Sequence, residues 1–137
     1  MSNSFDIKKI EGKDFIYDTI RKKYVSFSPE EWVRQSFIKY LIVQKNYPAS
    51  LFSVEKIIKV GGVNKRFDIL IYKKMSPWML VECKREDVNI DEKSLVQILA
   101  YQSKLSVKYL TITNGKTTFC FDIEQGTWID LPNFGHH

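Results

Sequence analysis

Asp68, Glu82 and Lys84 are the residues of this chain whose types and spacing could do chemistry. Each interrupts an apolar run: Asp68 within Phe67-Asp68-Ile69-Leu70-Ile71-Tyr72, Glu82 and Lys84 within Leu80-Val81-Glu82-Cys83-Lys84. Runs of this kind, bounded by turn signals, read as strands near the middle of a sheet. An ionised side chain there is costly unless it is paired or holds a metal. A hairpin symmetric about Met75 sets Asp68 opposite Glu82, because both stand seven residues from that centre. Directly paired Cβ atoms lie about 4.5–5.5 Å apart. Glu82 and Lys84 share a face by alternation, and Phe67, Ile69, Ile71, Val81 and Cys83 are expected on the other. Two carboxylates at that distance need a proton or a bridging cation. Oxygen ligands with no histidine or cysteine pair beside them suit Mg²⁺, with Mn²⁺ as a substitute. A lysine beside such a metal can orient a water and stabilise charge in phosphoryl transfer. The chemistry is metal-assisted phosphodiester hydrolysis; the plainer alternative is a salt-bridged trio at a sheet edge.

The elements that must position these residues follow from the surrounding pattern. Residues 5–10 and 14–17 read as a hairpin about Glu11-Gly12-Lys13, followed by a basic loop of Arg21, Lys22 and Lys23. Ser28-Pro29-Glu30-Glu31 is a helix start, with Ser28 as cap, Pro29 in the first turn and Glu31 as the reciprocal carboxylate of a capping box. The helix is expected to run to about Lys45 and to bury Val33, Phe37, Tyr40, Leu41 and Gln44, with Trp32 and Ile38 widening the face. Asn46-Tyr47-Pro48 ends it. Residues 52–60 alternate as a strand with a bulge at Ile57-Ile58. Lys65–Tyr72 and Trp78–Lys84 are the next strands, joined by a loop over Lys73–Pro77. A second helix is predicted from an Asp91 cap to Leu105, and strands at Lys108–Thr113, Thr117–Ile123 and Thr127–Leu131, with Asn114-Gly115 as a hairpin turn. The order is helix, three strands, helix, three strands. A crossover between parallel neighbours follows, giving an α/β fold in three layers: a central mixed sheet with a helix on each face.

A chain of 137 residues is sized for a single domain. Its 44% hydrophobic content is that of a globular protein, and no run is long enough to span a membrane. No secretory signal opens the chain and its only two cysteines, Cys83 and Cys120, sit in apolar runs as free thiols, so a cytoplasmic protein is expected. The net charge of +5 favours an anionic partner. Lys56, Lys59, Lys65 and Arg66 around Gly61-Gly62, and Lys104 and Lys108 near the end of the second helix, are the candidate phosphate contacts. Trp32, Trp78 and Trp128 read as packing residues. His136 and His137 are given no role.

Asp68 followed by Glu82-x-Lys84 resembles the signature of the PD-(D/E)xK nucleases, with Phe67 where that signature has proline. Gln97-Ile98-Leu99-Ala100-Tyr101 is similar to the Q-x-x-x-Y element of its RecB-like members. The closer likeness is to the N-terminal nuclease domain of type I restriction enzyme R subunits. It rests on Tyr24-Val25, Pro29–Arg34, Arg66–Leu70, Val81–Lys84, Gln97–Tyr101 and Leu110–Gly115, and covers roughly residues 15–131. The resemblance implies a restriction-endonuclease-like fold and a Mg²⁺-dependent DNA endonuclease. Asp68 and Glu82 would ligate the metal with the carbonyl of Cys83, Lys84 would serve the attacking water and Gln97 would position water or phosphate. Tyr101, Lys65, Arg66 and Lys104 would support the site or touch DNA. Glu31 matches a helix position that faces the metal in many relatives, a role in competition with capping. R subunits continue into an ATP-driven translocase. No G-x-x-x-x-G-K-[ST] loop occurs here, so an ATP site does not carry over. DNA, restriction–modification partner subunits and a second copy of the chain are the expected partners; a membrane is not. The other function open to such a chain is a non-catalytic DNA-binding or assembly module that retains the fold.

Overall fold

The computed structural model describes residues 5–94 and 106–135. Two sheets and one long helix carry the fold. A small antiparallel sheet joins β1 (Ile7–Ile10), β2 (Lys13–Asp18) and β3 (Lys23–Ser26). The larger sheet runs in the order β4 (Phe52–Val60), β5 (Val63–Lys73), β6 (Ser76–Cys83), β7 (Tyr109–Thr113), β8 (Thr118–Asp122), β9 (Thr127–Ile129). Its pairs are antiparallel except β6–β7, which are parallel. The mixed α/β sheet and its parallel central pair are those expected. The second predicted helix falls largely on residues 95–105, outside the described residues. Its start is visible: residues 92–94 are helical, and Asp91 Oδ1 accepts from Ser94 N at 2.9 Å.

Helix α1 spans Pro29–Lys45, and Ser28 Oγ accepts from Glu31 N at 3.0 Å. Asn46 takes the left-handed conformation (φ 63°), and Tyr47 N returns to Leu41 O at 3.1 Å, closing the helix as the sequence requires. Its buried face is Glu31, Val33, Arg34, Gln35, Phe37, Ile38 and Leu41, whereas Tyr40 is 42% exposed. The face is rotated toward the N-terminal polar residues because Glu31 and Arg34 find partners outside the helix, and Gln35 bonds to Glu31.

One apolar cluster lies between α1 and the large sheet, with Val33, Phe37 and Leu41 against Ile69, Ile71, Val81 and Cys83. The second, on the opposite face, holds Val60, Phe67, Leu70, Leu80, Leu110 and Ile112. The central strands thus bury both faces, as their largely apolar runs require. Cys83 and Cys120 are buried free thiols. Trp78 is buried, with its ring 5.0 Å from that of Tyr109.

Three local expectations are corrected. The β5–β6 connection is a two-residue turn, not a loop over Lys73–Pro77: Lys73 pairs with Ser76, and Lys74 and Met75 carry positive φ. The register then shifts between Ile71↔Met79 and Tyr72↔Pro77, so Trp78 is an extra residue on β6. That insertion restores the symmetry about Met75 from Ile71 onward. The β4 irregularity lies at Glu55 (φ 53°), not at Ile57-Ile58, which pair regularly with Arg66 and Lys65. The loop expected at Arg21–Lys23 contains the start of β3, and its Arg21 is held in an ion network.

Candidate active site

The middle of β5 and the C-terminal end of β6 bring the acidic pair together. Ile69 pairs with Val81, and one residue further Asp68 Oδ2 accepts from Cys83 N at 2.8 Å. Ladder pairing with β4 is interrupted at the same level, between Val54↔Ile69 and Lys56↔Phe67, opposite the left-handed Glu55. This kink overturns one expectation about faces. Phe67 packs with Leu70 and Leu80, not with Ile69 and Ile71. Strict alternation fails at Asp68, which lets its carboxyl reach Cys83 N and the α1 side together.

Asp68 and Glu82 interact directly. Burial pushes the Glu82 carboxyl up to about 8; the charge of Asp68 and a hydrogen bond with it add to the shift, and Lys84 and Arg34 oppose it. This is the behaviour of two acids that cannot both ionise unaided. Lys84 is exposed beyond them, and its backbone N donates to Thr113 O at 2.8 Å, extending the β6–β7 pairing past the last strand residue. The acid pair and the amine therefore stand together at the C-terminal end of β6.

Two further groups were not singled out by sequence reasoning. Arg34, 5% exposed, reaches Glu31 Oε1 at 3.1 Å, Glu55 Oε1 at 3.0 Å and Asp68 Oδ1 at 3.5 Å. Its Nε is buried without a partner among the described residues. Arg21 binds Asp18, Glu31 Oε1 at 2.8 Å and Glu55 Oε2 at 3.4 Å. Burial alone would lower the Arg21 pKa, but the bonds to Asp18 and Glu31 outweigh it and raise it. Burial raises the Glu55 carboxyl, yet Arg34 and Arg21 hold it below its ordinary value. Glu31 thus has its carboxylate on Arg21, Arg34 and Gln35 Nε2 (2.9 Å), while only its backbone N meets the Ser28 cap. The i,i+3 spacings of Asp18–Arg21 and Glu31–Arg34 were the local signals for this network; that the two pairs meet each other and Glu55 depends on tertiary structure.

The other group is Asn114, 5% exposed. Its Nδ2 donates to Val88 O at 2.8 Å, and its Oδ1 accepts from Lys116 N and Thr117 N at 2.9 and 2.8 Å. It ties the β7–β8 turn to the segment leaving Lys84. Arg85, Glu86 and Asp87 of that segment line, with Ile7, Phe27, Pro29 and Trp32, an open cleft of about 530 Å³.

Asp68, Glu82, Cys83 and Lys84 are brought together as the sequence suggested. Lys65 and Arg66 lie on β5 just before Asp68. Gln97, Tyr101 and Lys104 lie outside the described residues. The donor set fits a hard divalent cation: two carboxylates, one holding its proton to near pH 8, relieve their repulsion most directly by sharing a cation. Among the described residues no group of three or more His, Cys, Asp or Glu side chains is arranged to hold one.

Loss of Arg34 is expected to be expensive. Arg34→Ala leaves Asp68 without its cation, beside Glu82, while Arg21 continues to serve Glu31 and Glu55. Breaking a buried charge network from one side costs about 3 kcal/mol or more. Urea unfolding at pH 7 reads this; a loss below about 1 kcal/mol would show that the contacts are superficial.

A mixed sheet whose β5–β6 pair carries an acid pair followed by a lysine is the arrangement that the PD-(D/E)xK-like resemblance implies. The chain belongs to the family described as type I restriction enzyme R protein N terminus (HSDR_N), which it matches over residues 29–130. Among solved structures it is similar to a DUF820 protein from Anabaena variabilis ATCC 29413, provisionally described as a nuclease. That likeness has a TM-score of 0.51 at 12% identity and covers 92% of this chain and 77% of the other; it speaks to the fold alone. No curated protein matches the chain significantly. No helix among the described residues is long and apolar enough to cross a membrane.

Proposed function

We propose that this chain is a Mg²⁺-dependent DNA endonuclease module of the kind that serves type I restriction, hydrolysing phosphodiester bonds at Asp68, Glu82 and Lys84. The observation that carries the reading is the placement of Asp68 beside Glu82 on neighbouring strands, one residue past the Ile69–Val81 pair and with Asp68 Oδ2 on Cys83 N at 2.8 Å; burial and Asp68 push the Glu82 carboxyl up to about 8. Asp68, Glu82 and the Cys83 carbonyl would hold the metal. When bound, it would supply Lewis acidity to the scissile phosphate and lower the pKa of a water so that it could lose a proton and attack as hydroxide. Lys84 orients that water and stabilises charge developing on the phosphate. Cys83 N fixes one oxygen of Asp68, and Arg34 steadies the other. Gln97 positions water or phosphate, with Tyr101, Lys65, Arg66 and Lys104 along the DNA. Restriction–modification subunits and a second copy of the chain are the proposed partners, and helices on both sheet faces complete the restriction-endonuclease-like fold.

The test is nicking of supercoiled plasmid by the wild-type chain in Mg²⁺, in Mn²⁺ and in EDTA. Cutting in either metal and none in EDTA is expected. Cutting in EDTA, or none in either metal together with any partner subunits supplied, would reject the reading.

A further inference from the structure

The five-residue arms Lys56–Val60 and Val63–Phe67 form the outer part of the β4–β5 hairpin, at the edge of the large sheet. They contain four cations and no acid. Cross-strand partners share a face, as do residues two apart. Ile57↔Arg66 and Lys59↔Asn64 therefore make one face, and Lys56↔Phe67, Ile58↔Lys65 and Val60↔Val63 the other. The second face is pinned to the apolar cluster through Val60 and Phe67, with Ile58 packed against it. The first is open: Lys59, Asn64 and Arg66 are exposed, and Ile57 is 62% exposed. It leads directly to Asp68, with Arg66 close enough to help hold the Glu55 carboxyl down.

Edge strands often carry lysine to discourage pairing with another chain. That need does not explain a large aliphatic side chain left in water between two cations on the same face. We propose that this face, Ile57 flanked by Arg66 and Lys59, lies in the major groove of duplex DNA and delivers the adjacent backbone to Asp68 and Glu82, an inference that rests on the nuclease reading. A two-stranded ribbon fits a groove about 12 Å wide as it stands, whereas the minor groove, about 6 Å wide, takes one only when the duplex is opened and bent. Five residues at about 3.3 Å each give the ribbon roughly 15 Å to place along the groove. Lys59 and Arg66 meet the phosphates at its walls, and Ile57 covers apolar base edges at its floor. The substrate is thereby a duplex rather than a single strand.

The experiment is fluorescence anisotropy in EDTA with a fluorescent 24-base-pair duplex and its separated strand. The variants are Lys59→Glu/Arg66→Glu and Ile57→Ser, with Lys45→Glu as the control and thermal melts to confirm folding. Wild type is expected to prefer the duplex. The double variant is expected to lose about tenfold or more in affinity and to flatten the salt dependence by about two ions. Ile57→Ser should lose severalfold with an unchanged salt slope, and Lys45→Glu less than twofold. Methylation of guanine N7, in the major groove, should weaken binding, and a minor-groove ligand such as netropsin should not compete. Wild-type affinity in the double variant, competition by netropsin, preference for the single strand, or loss of a self-associated form in Ile57→Ser would each overturn the proposal. Metal-dependent nicking with an inert ribbon rejects the ribbon alone; ribbon-dependent binding by a chain that never nicks rejects the nuclease reading alone.

Discussion

Lys84→Ala is expected to lower the rate of Mg²⁺-dependent plasmid nicking by about 10²–10³-fold while leaving cation binding nearly intact. The side chain of Lys84 is exposed at the end of β6, and its backbone, not its amine, makes the Thr113 contact. Truncation therefore removes a charge that stabilises the transition state without loosening the strand, a loss typical of one such donor. Asp68→Asn should behave differently. It removes one of the two carboxylates available for the cation, and with them several kcal/mol of transition-state stabilisation, so nicking should fall by about 10³-fold or more. It should also lose the thermal shift that Mg²⁺ gives the wild-type protein, which at a hundredfold excess over Kd is worth about 2.7 kcal/mol. Single-turnover nicking at saturating protein, paired with melts in Mg²⁺ and EDTA, separates the two patterns. Equal loss of the metal shift in both variants would mean that Lys84 helps to hold the cation rather than to stabilise the transition state, and undiminished nicking in either would remove that residue from the mechanism.

The acidic pair was legible in sequence because a charge inside an apolar run is costly, and the cost marks the position whatever the tertiary detail. Its register was also legible, but for a reason the sequence conceals. Lys74-Met75 makes a tighter turn than the loop expected, and the extra residue at Trp78 offsets the difference before the strands reach Asp68. Two local departures cancel, and a symmetry count lands on the right pairs. The face assignment had no such compensation. Alternation assumes a regular ladder, and the left-handed Glu55 breaks the ladder opposite Asp68, sending Phe67 to the far cluster. Non-glycine residues with positive φ leave little trace in composition. The capping motif of α1 announced the helix start through Ser28 and Pro29, yet the destination of the Glu31 carboxylate depended on Arg21, ten positions earlier and on a different element. Long-range ion networks are set by how elements meet, which local spacing does not encode. The basic β4–β5 arms were visible as a cluster of charge; that they share a face with an exposed isoleucine required the register.

Glu82→Gln is expected to stabilise the metal-free protein at alkaline pH and to do so in a pH-dependent way. The folded state holds the Glu82 carboxyl up to about 8, chiefly by burial and then by Asp68, whereas an unfolded glutamate titrates near 4.3. A group whose folded pKa lies above its unfolded one contributes stability that is complete below the unfolded value and is lost as pH rises through the folded value. In EDTA the wild-type protein should therefore weaken from about pH 4.5 to about pH 8 and level off beyond. Glutamine has nothing to ionise, so the variant should stay flat across that window. The gap should open to about 3 kcal/mol at pH 9, less than the full shift implies because Glu82 keeps some contact with water. At pH 5, where Glu82 is already neutral, the two should agree within about 1 kcal/mol. Mg²⁺ should close most of the gap at pH 9, because only the ionised wild-type pair offers two carboxylates to the cation. A salt-bridged acidic trio serving as a fold lock demands the opposite: Glu82→Gln would be the less stable protein at every pH above 5, with or without metal. Urea unfolding of both proteins at pH 5, 7 and 9, in EDTA and in Mg²⁺, decides between them. A variant less stable than wild type at pH 9 in EDTA would show that Glu82 is held as a structural anion, and the case for a cation shared with Asp68 would fall with it.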